Sequence, residues 1–244
     1  MKLMKKMTKV IAFLMVCLLG ISNANIVNAE YDGEAAAEYA EQYWDSYNSS
    51  YPNYIDKERD CTNFASQCVL AGGIKKKSLP KSKIKLMDFG STHSCTDYWS
   101  CDYYKYKIAG ITIRKGYIPT TTWNLVDNDT SKTLADSIIY GFQDFMKEKM
   151  NKTVTTYSCN SSSEMEELIK DAKVGDIVQI RKKGDTRFSH TYIVGKKKRN
   201  SKKKKDIYFY SHTDPRGAKE TDSLQTLIEN KTISSEWTLA LISM

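Results

Sequence analysis

The chain has 244 residues, with 37 Lys and Arg against 29 Asp and Glu, and a formal net charge of +8 at pH 7. Its 41% hydrophobic residues, 12 Gly and 4 Pro exclude a collagen-like, low-complexity or wholly disordered protein. The length suits one or two domains with a sizeable hydrophobic core.

The first 29 residues have the organisation of a secretory signal peptide. Four lysines precede an apolar run at Val10–Gly20, which is shorter than the roughly 20 residues of a membrane span. Small residues stand at cleavage spacing at 27–29, with 22–24 as a second option. We predict a signal peptide over 1–29, one domain over 31–244, and a secreted or cell-wall-associated product.

Positive charge is concentrated in one stretch, Lys196–Lys205. Without the signal peptide the chain has 33 basic and 29 acidic residues, and eight of the basic ones lie in this stretch. A nucleic-acid-binding protein more often spreads its positive charge over a face, so no nucleic-acid partner is predicted. An anionic wall polymer or lipid is the predicted partner of the stretch, and a solvated loop tip without a partner is the alternative.

The predicted elements run from helices to strands along the chain. Apolar periodicity predicts helices over 33–48, 60–73 and 134–150, and a capping box at Ser163 and Glu166 opens a shorter one. Residues 75–130 are predicted as an irregular insert with short strands. Strand patterns follow at 175–180, 190–194, 207–212 and 237–242. Helices followed by an antiparallel sheet predict an α+β fold.

Five cysteines remain after loss of Cys17, so at least one thiol is unpaired. Cys61 and Cys68 share one predicted helix, about 10.5 Å apart along its axis, which exceeds the roughly 7 Å limit for a disulfide. Cys95 and Cys101 lie in one short segment and are able to pair. The cysteine spacing fits none of the common structural zinc sites, so we predict no metal and no cofactor.

Cys61 stands at the predicted start of a helix, where unsatisfied N–H groups and the helix dipole favour the thiolate. A thiol nucleophile also needs a base. His190 and His212 both lie in Ser-His-Thr tripeptides, at the start of one predicted strand and the end of the next. In an antiparallel pair these ends meet, so we expect position 190 opposite 211 or 212. A buried, inert thiol is the alternative interpretation of Cys61.

These residues predict a thiol hydrolase. His190 takes the proton of Cys61 and later protonates the leaving amine. His212 is predicted to orient that imidazole, with Ser211 or Asp214 as fallbacks.

The oxyanion of such a reaction needs fixed donors. The backbone N–H of Cys61 is the first candidate, and Tyr54 or Asn53 is predicted to supply the second. Trp99 and Trp123 are candidates to line a substrate cleft, with ordinary core aromatics as the alternative.

Several motifs together resemble the putative amidase domain family. They are DCTNFASQC at 60–68, AGG at 71–73, Trp123, GDIVQ at 175–179 and the two Ser-His-Thr tripeptides. The resemblance implies a papain-like, NlpC-type cysteine hydrolase fold with N-terminal helices packed on an antiparallel sheet. It also implies Cys61 as nucleophile, His190 as base, and hydrolysis of amide bonds, with peptidoglycan as the expected substrate.

Two other functions remain open at this stage. A non-catalytic protein that binds the cell wall or a membrane surface would use the same fold with an inert Cys61. A transglutaminase-like acyl transferase would use the same two residues with an amine acceptor in place of water, and a fold-level analogy does not separate transfer from hydrolysis.

Overall fold

The structure is a computed structural model that describes residues 30–54, 60–126 and 140–244. The predicted signal peptide, and positions 134–139 of the helix predicted over 134–150, lie outside the described residues. The α-helices are α1 Gly33–Tyr43, α2 Cys61–Ala71, α3 Thr121–Asn124, α4 Phe142–Met150, α5 Ser162–Asp171 and α6 Leu224–Glu229. The strands are β1 Cys101–Ile108, β2 Ile111–Pro119, β3 Thr153–Ser158, β4 Ile177–Arg181, β5 His190–Arg199, β6 Lys205–Ser211, β7 Arg216–Gly217 and β8 Thr238–Ser243.

The larger sheet has six strands in the order β3-β8-β4-β5-β6-β7, and its neighbouring strands are all antiparallel. The strands β1 and β2 form a separate antiparallel hairpin. This architecture confirms the α+β prediction. No helix within the described ranges is both long and apolar enough to cross a bilayer.

The central strands of the six-stranded sheet are buried on both faces because their side chains alternate between two cores. On β5, Ile193 packs with residues of α1, α2 and α4. Its neighbours Tyr192 and Val194 pack with residues of α5 and α6 on the opposite face. This period of two is the normal pleat of a strand, so a central strand such as β5 contributes side chains to two layers of helices.

The helix α2 is buried from Cys61 through Val69 and packs against both α1 and the strand β5. The short side chains of α1 make this packing close, since Ala36 and Ala40 are completely buried against the same core. The residue before α2, Asp60, makes no side-chain bond to the helix's own N–H groups. The first turn of α2 must therefore find its hydrogen-bond partners elsewhere in the fold.

The insert is more regular than the sequence predicts. In place of short strands, β1 and β2 pair over most of their length, from Cys101 with Pro119 to Ile108 with Ile111. The sequence of these two strands does not show the apolar and polar alternation of a half-buried strand, because the outer half of the hairpin exposes most of its side chains, apolar ones included. The irregular description holds for residues 75–100.

The pairing of β5 with β6 corrects the predicted register. Its ladder ends at Ile193 with Tyr210 and shifts by one residue between Val194 and Lys196. The shift centres on Gly195, which the ring of Tyr210 covers so closely that a Cβ there would lie 2.2 Å from it. His190 therefore precedes the paired segment and does not stand opposite position 211 or 212.

Gly175 allows the turn before β4 to touch the start of α1. Its φ is +86°, and a Cβ there would lie 2.3 Å from the Cα of Gly33. Gly184 has nearly the same φ, +83°, with nothing within 4 Å of its Cβ position. We expect Gly184→Ala to cost about 1–2 kcal/mol for the backbone conformation alone. Gly175→Ala should cost a further 1–3 kcal/mol or so for overpacking.

Urea unfolding of the two variants measures this difference. Equal losses of unfolding free energy in Gly175→Ala and Gly184→Ala would show that the contact between α1 and the β4 turn relaxes without cost.

Candidate active site

Cys61 is the first residue of α2, and 5% of its surface is exposed. Burial raises the pKa of its thiol, whereas the nearby His190 lowers it through its charge and a hydrogen bond to the sulfur. Hydrogen bonds from Thr62 and from the backbone of Thr191 act in the same direction. The net result is a pKa of Cys61 below its ordinary value, which favours the nucleophilic thiolate. The structure thus brings together two of the predicted residues, Cys61 and His190.

Cys68 provides an internal comparison on the same helix. It is also fully buried, and burial raises the pKa of its thiol well above the ordinary value. Cys95, Cys101 and Cys159 likewise have raised pKa values because of burial, and all five described cysteines carry free thiols. Cys61 therefore differs from these four in the direction of its pKa shift.

The second nitrogen of His190 has no fixed partner in the described part of the chain. Its Nε2 atom is buried without a hydrogen bond. The ring packs edge-on against Tyr192, with centroids 4.4 Å apart. The imidazole is therefore positioned by an aromatic contact and by the thiol, rather than by the polar third group that the sequence predicts.

His212 binds elsewhere, which corrects the prediction that it orients His190. Its Nδ1 lies 2.5 Å from Oδ2 of Asp60, and its Nε2 lies 2.7 Å from the carbonyl oxygen of Tyr43. The ring also stacks on Phe64, with centroids 3.9 Å apart and planes 16° from parallel. Both ring nitrogens of His212 therefore face oxygen atoms other than those of a group near His190. Both histidines contact the start of α2. His212 contacts Asp60, the residue before the helix, and His190 contacts Cys61, its first residue.

The two fallback residues are also engaged away from His190. The hydroxyl of Ser211 donates to the carbonyl of Asp214 at 2.5 Å. The carboxylate of Asp214 lies 2.5 Å from Nη2 of Arg216. Arg216 in turn contacts the hydroxyl of Tyr192, so this group reaches the site through the aromatic neighbour of His190.

Asp60 is the polar centre of the helix start. It is fully buried, and its Oδ1 accepts bonds from the backbone N–H of Tyr54 at 3.1 Å and from the amide of Asn63 at 2.8 Å. Its Oδ2 faces His212. The carboxylate connects the segment before α2, the helix itself and the residue that follows β6.

Thr191 and Thr213, the last residues of the two Ser-His-Thr tripeptides, hold the first turn of α2. The hydroxyl of Thr213 accepts from the backbone N–H of Asp60 at 3.0 Å and of Cys61 at 3.1 Å. The hydroxyl of Thr191 lies 3.0 Å from that of Thr62. Sequence reasoning missed both residues, although the repeated tripeptide was the signal that marks them.

The oxyanion candidates occupy different environments. The N–H of Cys61 donates to Thr213 in this structure, so it is engaged rather than open. The backbone of Tyr54 donates to Asp60, and its half-buried side chain lines a pocket. Asn53 is exposed.

A pocket of about 430 Å³ lies between the segment before α2 and the insert. The bond from the backbone of Tyr54 to Asp60 connects its wall to the residue preceding Cys61. The buried Oδ1 of Asn124 has no hydrogen-bond partner in the described chain. The lining residues are Pro52, Tyr54, Gly90, Ser91, Thr92, Lys115, Gly116, Tyr117, Pro119, Asn124 and Leu125.

Trp99 and Trp123 do not line a cleft, which corrects their assignment as substrate-contacting residues. Both side chains have 0% exposure and pack against each other, with ring centroids 4.9 Å apart. Trp99 donates its indole N–H to Ser66, and Trp123 donates to Asn63. Both tryptophans therefore anchor the insert and α3 to the polar face of α2.

These features define an α+β protein in which a thiol of lowered pKa, at the start of a buried helix, contacts a histidine at the start of a strand. The sequence profile of the family described as "Putative amidase domain" matches residues 30–236, and the chain belongs to this family. The description of the family points to hydrolysis of amide bonds.

One curated relative is an uncharacterized protein, YhbB, of Bacillus subtilis (strain 168). It is 43% identical to this chain over 51 residues, which is 21% of this chain and 15% of the relative. The match therefore covers a small part of either protein. No solved structure matches the chain.

We predict that His212→Phe destabilises the fold strongly. The substitution keeps a ring against Phe64 but leaves the Asp60 carboxylate buried without its partner, at a cost of about 3–5 kcal/mol. His93→Phe is the control, because His93 pairs with Asp88 in the insert, 3.1 Å away and partly exposed. A cycle with Asp60→Asn should show a coupling of about 1–3 kcal/mol between positions 60 and 212.

Chemical denaturation of the four proteins of that cycle gives the coupling. Additive losses, or a loss in His212→Phe no larger than in His93→Phe, would contradict a structural role of the Asp60–His212 contact.

Proposed function

We propose that this protein is a secreted cysteine amidase or endopeptidase that hydrolyses amide bonds of peptidoglycan, with Cys61 as nucleophile and His190 as general base. The observation that carries the proposal is the lowered pKa of the Cys61 thiol beside His190. A thiol buried to the same degree on the same helix, Cys68, has its pKa shifted the opposite way. A buried structural cysteine needs no such environment.

The arrangement of elements supports a papain-like, NlpC-type plan for this site. The thiol precedes the histidine in the chain, and it lies at the start of a helix that packs on an antiparallel sheet. His190 lies at the start of a central strand, β5. This is the arrangement that the sequence resemblance implies for nucleophile and base.

The proposed reaction proceeds in two halves. The sulfur of Cys61 forms a bond to the carbonyl carbon of the amide, and its proton passes to His190. The C–N bond then breaks, and His190 gives that proton to the leaving amine, which leaves a thioester. Water adds to the thioester and loses a proton to His190. The C–S bond breaks, the carboxylic acid departs, and the thiol regains its proton.

The tetrahedral intermediates carry a negative oxygen that needs donors. The N–H of Cys61 points out of the first turn of α2, and its present acceptor is the hydroxyl of Thr213. We propose that the substrate oxygen replaces Thr213 as the acceptor, and that Tyr54 or Asn53 supplies the second donor. A hydroxyl is a suitable temporary acceptor because it satisfies the N–H without a charge.

The location and partners of the protein belong to the same proposal. The organisation of residues 1–29 supports secretion. Part of the charge of Lys196–Lys205 is neutralised by ion pairs, from Lys196 to Glu41, Lys198 to Glu220 and Lys202 to Glu229. The exposed turn at 203–204 extends from this hairpin. We keep an anionic wall polymer as the proposed partner of this turn and propose no nucleic-acid partner.

The first experiment tests the thiolate. Residues 30–244 are treated with iodoacetamide across a pH range, and modification of each cysteine is followed by peptide mass spectrometry. We expect labelling of Cys61 to persist well below the free-cysteine pKa of about 8.5. In His190→Ala, burial still raises the pKa of the Cys61 thiol, and no imidazole opposes it. The thiolate fraction at pH 7, and with it the labelling of Cys61, should then fall about tenfold for each unit by which that pKa rises.

Cys68 serves as the internal control in both proteins, since its labelling should remain slow throughout. An ordinary pH profile for Cys61 that His190→Ala leaves unchanged would contradict the proposed pair and favour the non-catalytic binding protein.

The second experiment tests the reaction on purified peptidoglycan. Cys61→Ala should abolish release of new amine and carboxyl groups, while Cys68→Ala, in the same helix, should retain activity. The products formed without any added amine separate hydrolysis from transfer, because a hydrolase yields the free acid, whereas an acyl transferase joins the acyl group to an amine of the substrate. Activity in Cys61→Ala with an unchanged melting temperature would overturn the mechanism, and predominant transfer would overturn hydrolysis.

A further inference from the structure

The hairpin of β1 and β2 projects an apolar tip into solvent. Ile108 and Ile111 pair across the tip and are 57% and 67% exposed, and Ile113 is 48% exposed. The two residues between the strands, Ala109 and Gly110, have φ values of 47° and 82°, which define a tight two-residue turn. Large aliphatic residues at the end of a rigid hairpin are costly in water unless they bind something.

The base of the hairpin packs into the insert, so the tip is held in a defined position. Tyr104 and Ile118 pack with Leu79 and Phe89 in a small core of the insert. The hydroxyl of Tyr104 donates to the carbonyl of Leu79 at 2.6 Å. The aliphatic residues that the hairpin exposes, Ile108, Ile111 and Ile113, all lie on its outer half.

The outer half of the hairpin is also cationic. Lys105, Lys107, Arg114 and Lys115 lie on it, and residues 103–126 contain no Asp or Glu. Lys105 and Lys115 stand directly opposite each other across the two strands. Like charges in that position destabilise a hairpin. Among the described residues, no carboxylate forms an ion pair with these three lysines, so the charge is available to an anionic partner.

The lysine-rich stretch at 196–205 is different. Three of its cations pair with Glu41, Glu220 and Glu229, and Nζ of Lys197 donates to the backbone carbonyls at the end of α5. It also lacks exposed large apolar side chains. Within the described ranges, the β1–β2 hairpin therefore combines lysines that form no ion pair with exposed aliphatic surface, and the lysine-rich stretch does not.

We propose that the β1–β2 hairpin binds the surface of a lipid bilayer that contains anionic lipids. The lysines contact the phosphate head groups, and the isoleucines of the tip enter the boundary between head groups and acyl chains. A soluble polyanion would use the lysines but would gain nothing from Ile108 and Ile111. The isoleucine contribution thus distinguishes a bilayer from a soluble anionic polymer.

Sedimentation with vesicles tests this proposal on residues 30–244, the range that contains every described contact. Vesicles of phosphatidylcholine mixed with phosphatidylglycerol are compared with vesicles of phosphatidylcholine alone. We expect binding to the anionic vesicles that weakens with added salt. The double variant Ile108→Ser, Ile111→Ser should bind at least about tenfold more weakly, and Lys105→Gln, Lys115→Gln should lose most of the salt dependence.

Two matched controls carry equivalent changes elsewhere. Leu86→Ser, Met87→Ser alters exposed apolar residues off the hairpin, and Lys170→Gln, Lys173→Gln alters two exposed lysines at the end of α5 and just beyond it, outside both the hairpin and the lysine-rich stretch. Both should bind like the unchanged protein, and melting temperatures confirm that all variants fold.

Several outcomes would overturn the proposal. Unchanged vesicle binding in the isoleucine variant would show that the tip takes no part in the interaction. Equal binding to both kinds of vesicle would show that the positive charge of the hairpin does not contribute. A dimer that forms without vesicles and is lost in the isoleucine variant would identify a second copy as the occupant. Tighter binding to polyphosphate than to the anionic vesicles would identify a soluble polyanion instead.

Discussion

The site depends on how the fold supplies acceptors to the first turn of α2. A helix leaves its first N–H groups without internal partners, and α2 is buried where water is excluded. Asp60 makes no bond to those groups with its own side chain. Thr213, from the segment after β6, accepts from the first two of them, and His212 binds the Asp60 carboxylate. The position of the Cys61 sulfur is therefore set by a strand end far away in sequence.

This constraint explains why the motif around Cys61 has so many polar residues in a buried helix. Asn63 accepts from Trp123 and donates to Asp60, and Ser66 connects the indole of Trp99 to the backbone of Trp123. These polar residues connect α2 to other parts of the fold, so the motif encodes the packing of the helix as well as its thiol. Loss of one partner would leave a buried polar group unsatisfied, at a cost of about 1–3 kcal/mol.

The sequence predicted the parts of this site that follow from local patterns. Cys61 at a helix start, His190 at a strand start and the antiparallel order of the last strands all came from periodicity and motif spacing. The contact of His212 with Asp60 could not be predicted in this way. The shift at Gly195 moves the register of β5 against β6, and one residue of register changes which side chain faces the helix. The burial of Trp99 and Trp123 was also hidden, because composition does not separate a core indole from one in a cleft.

The two Ser-His-Thr tripeptides make different contacts at the start of α2. In the first, His190 contacts the thiol and Thr191 reaches the hydroxyl of Thr62. In the second, His212 and Thr213 bind Asp60 and the N–H groups around it. Only the first histidine is next to the sulfur, and its Nε2 is buried without a bond. The imidazole of His190 lies beside the thiol, whereas both ring nitrogens of His212 face acceptors. The first tripeptide thus places an imidazole beside the sulfur, and the second holds the start of the helix that carries it.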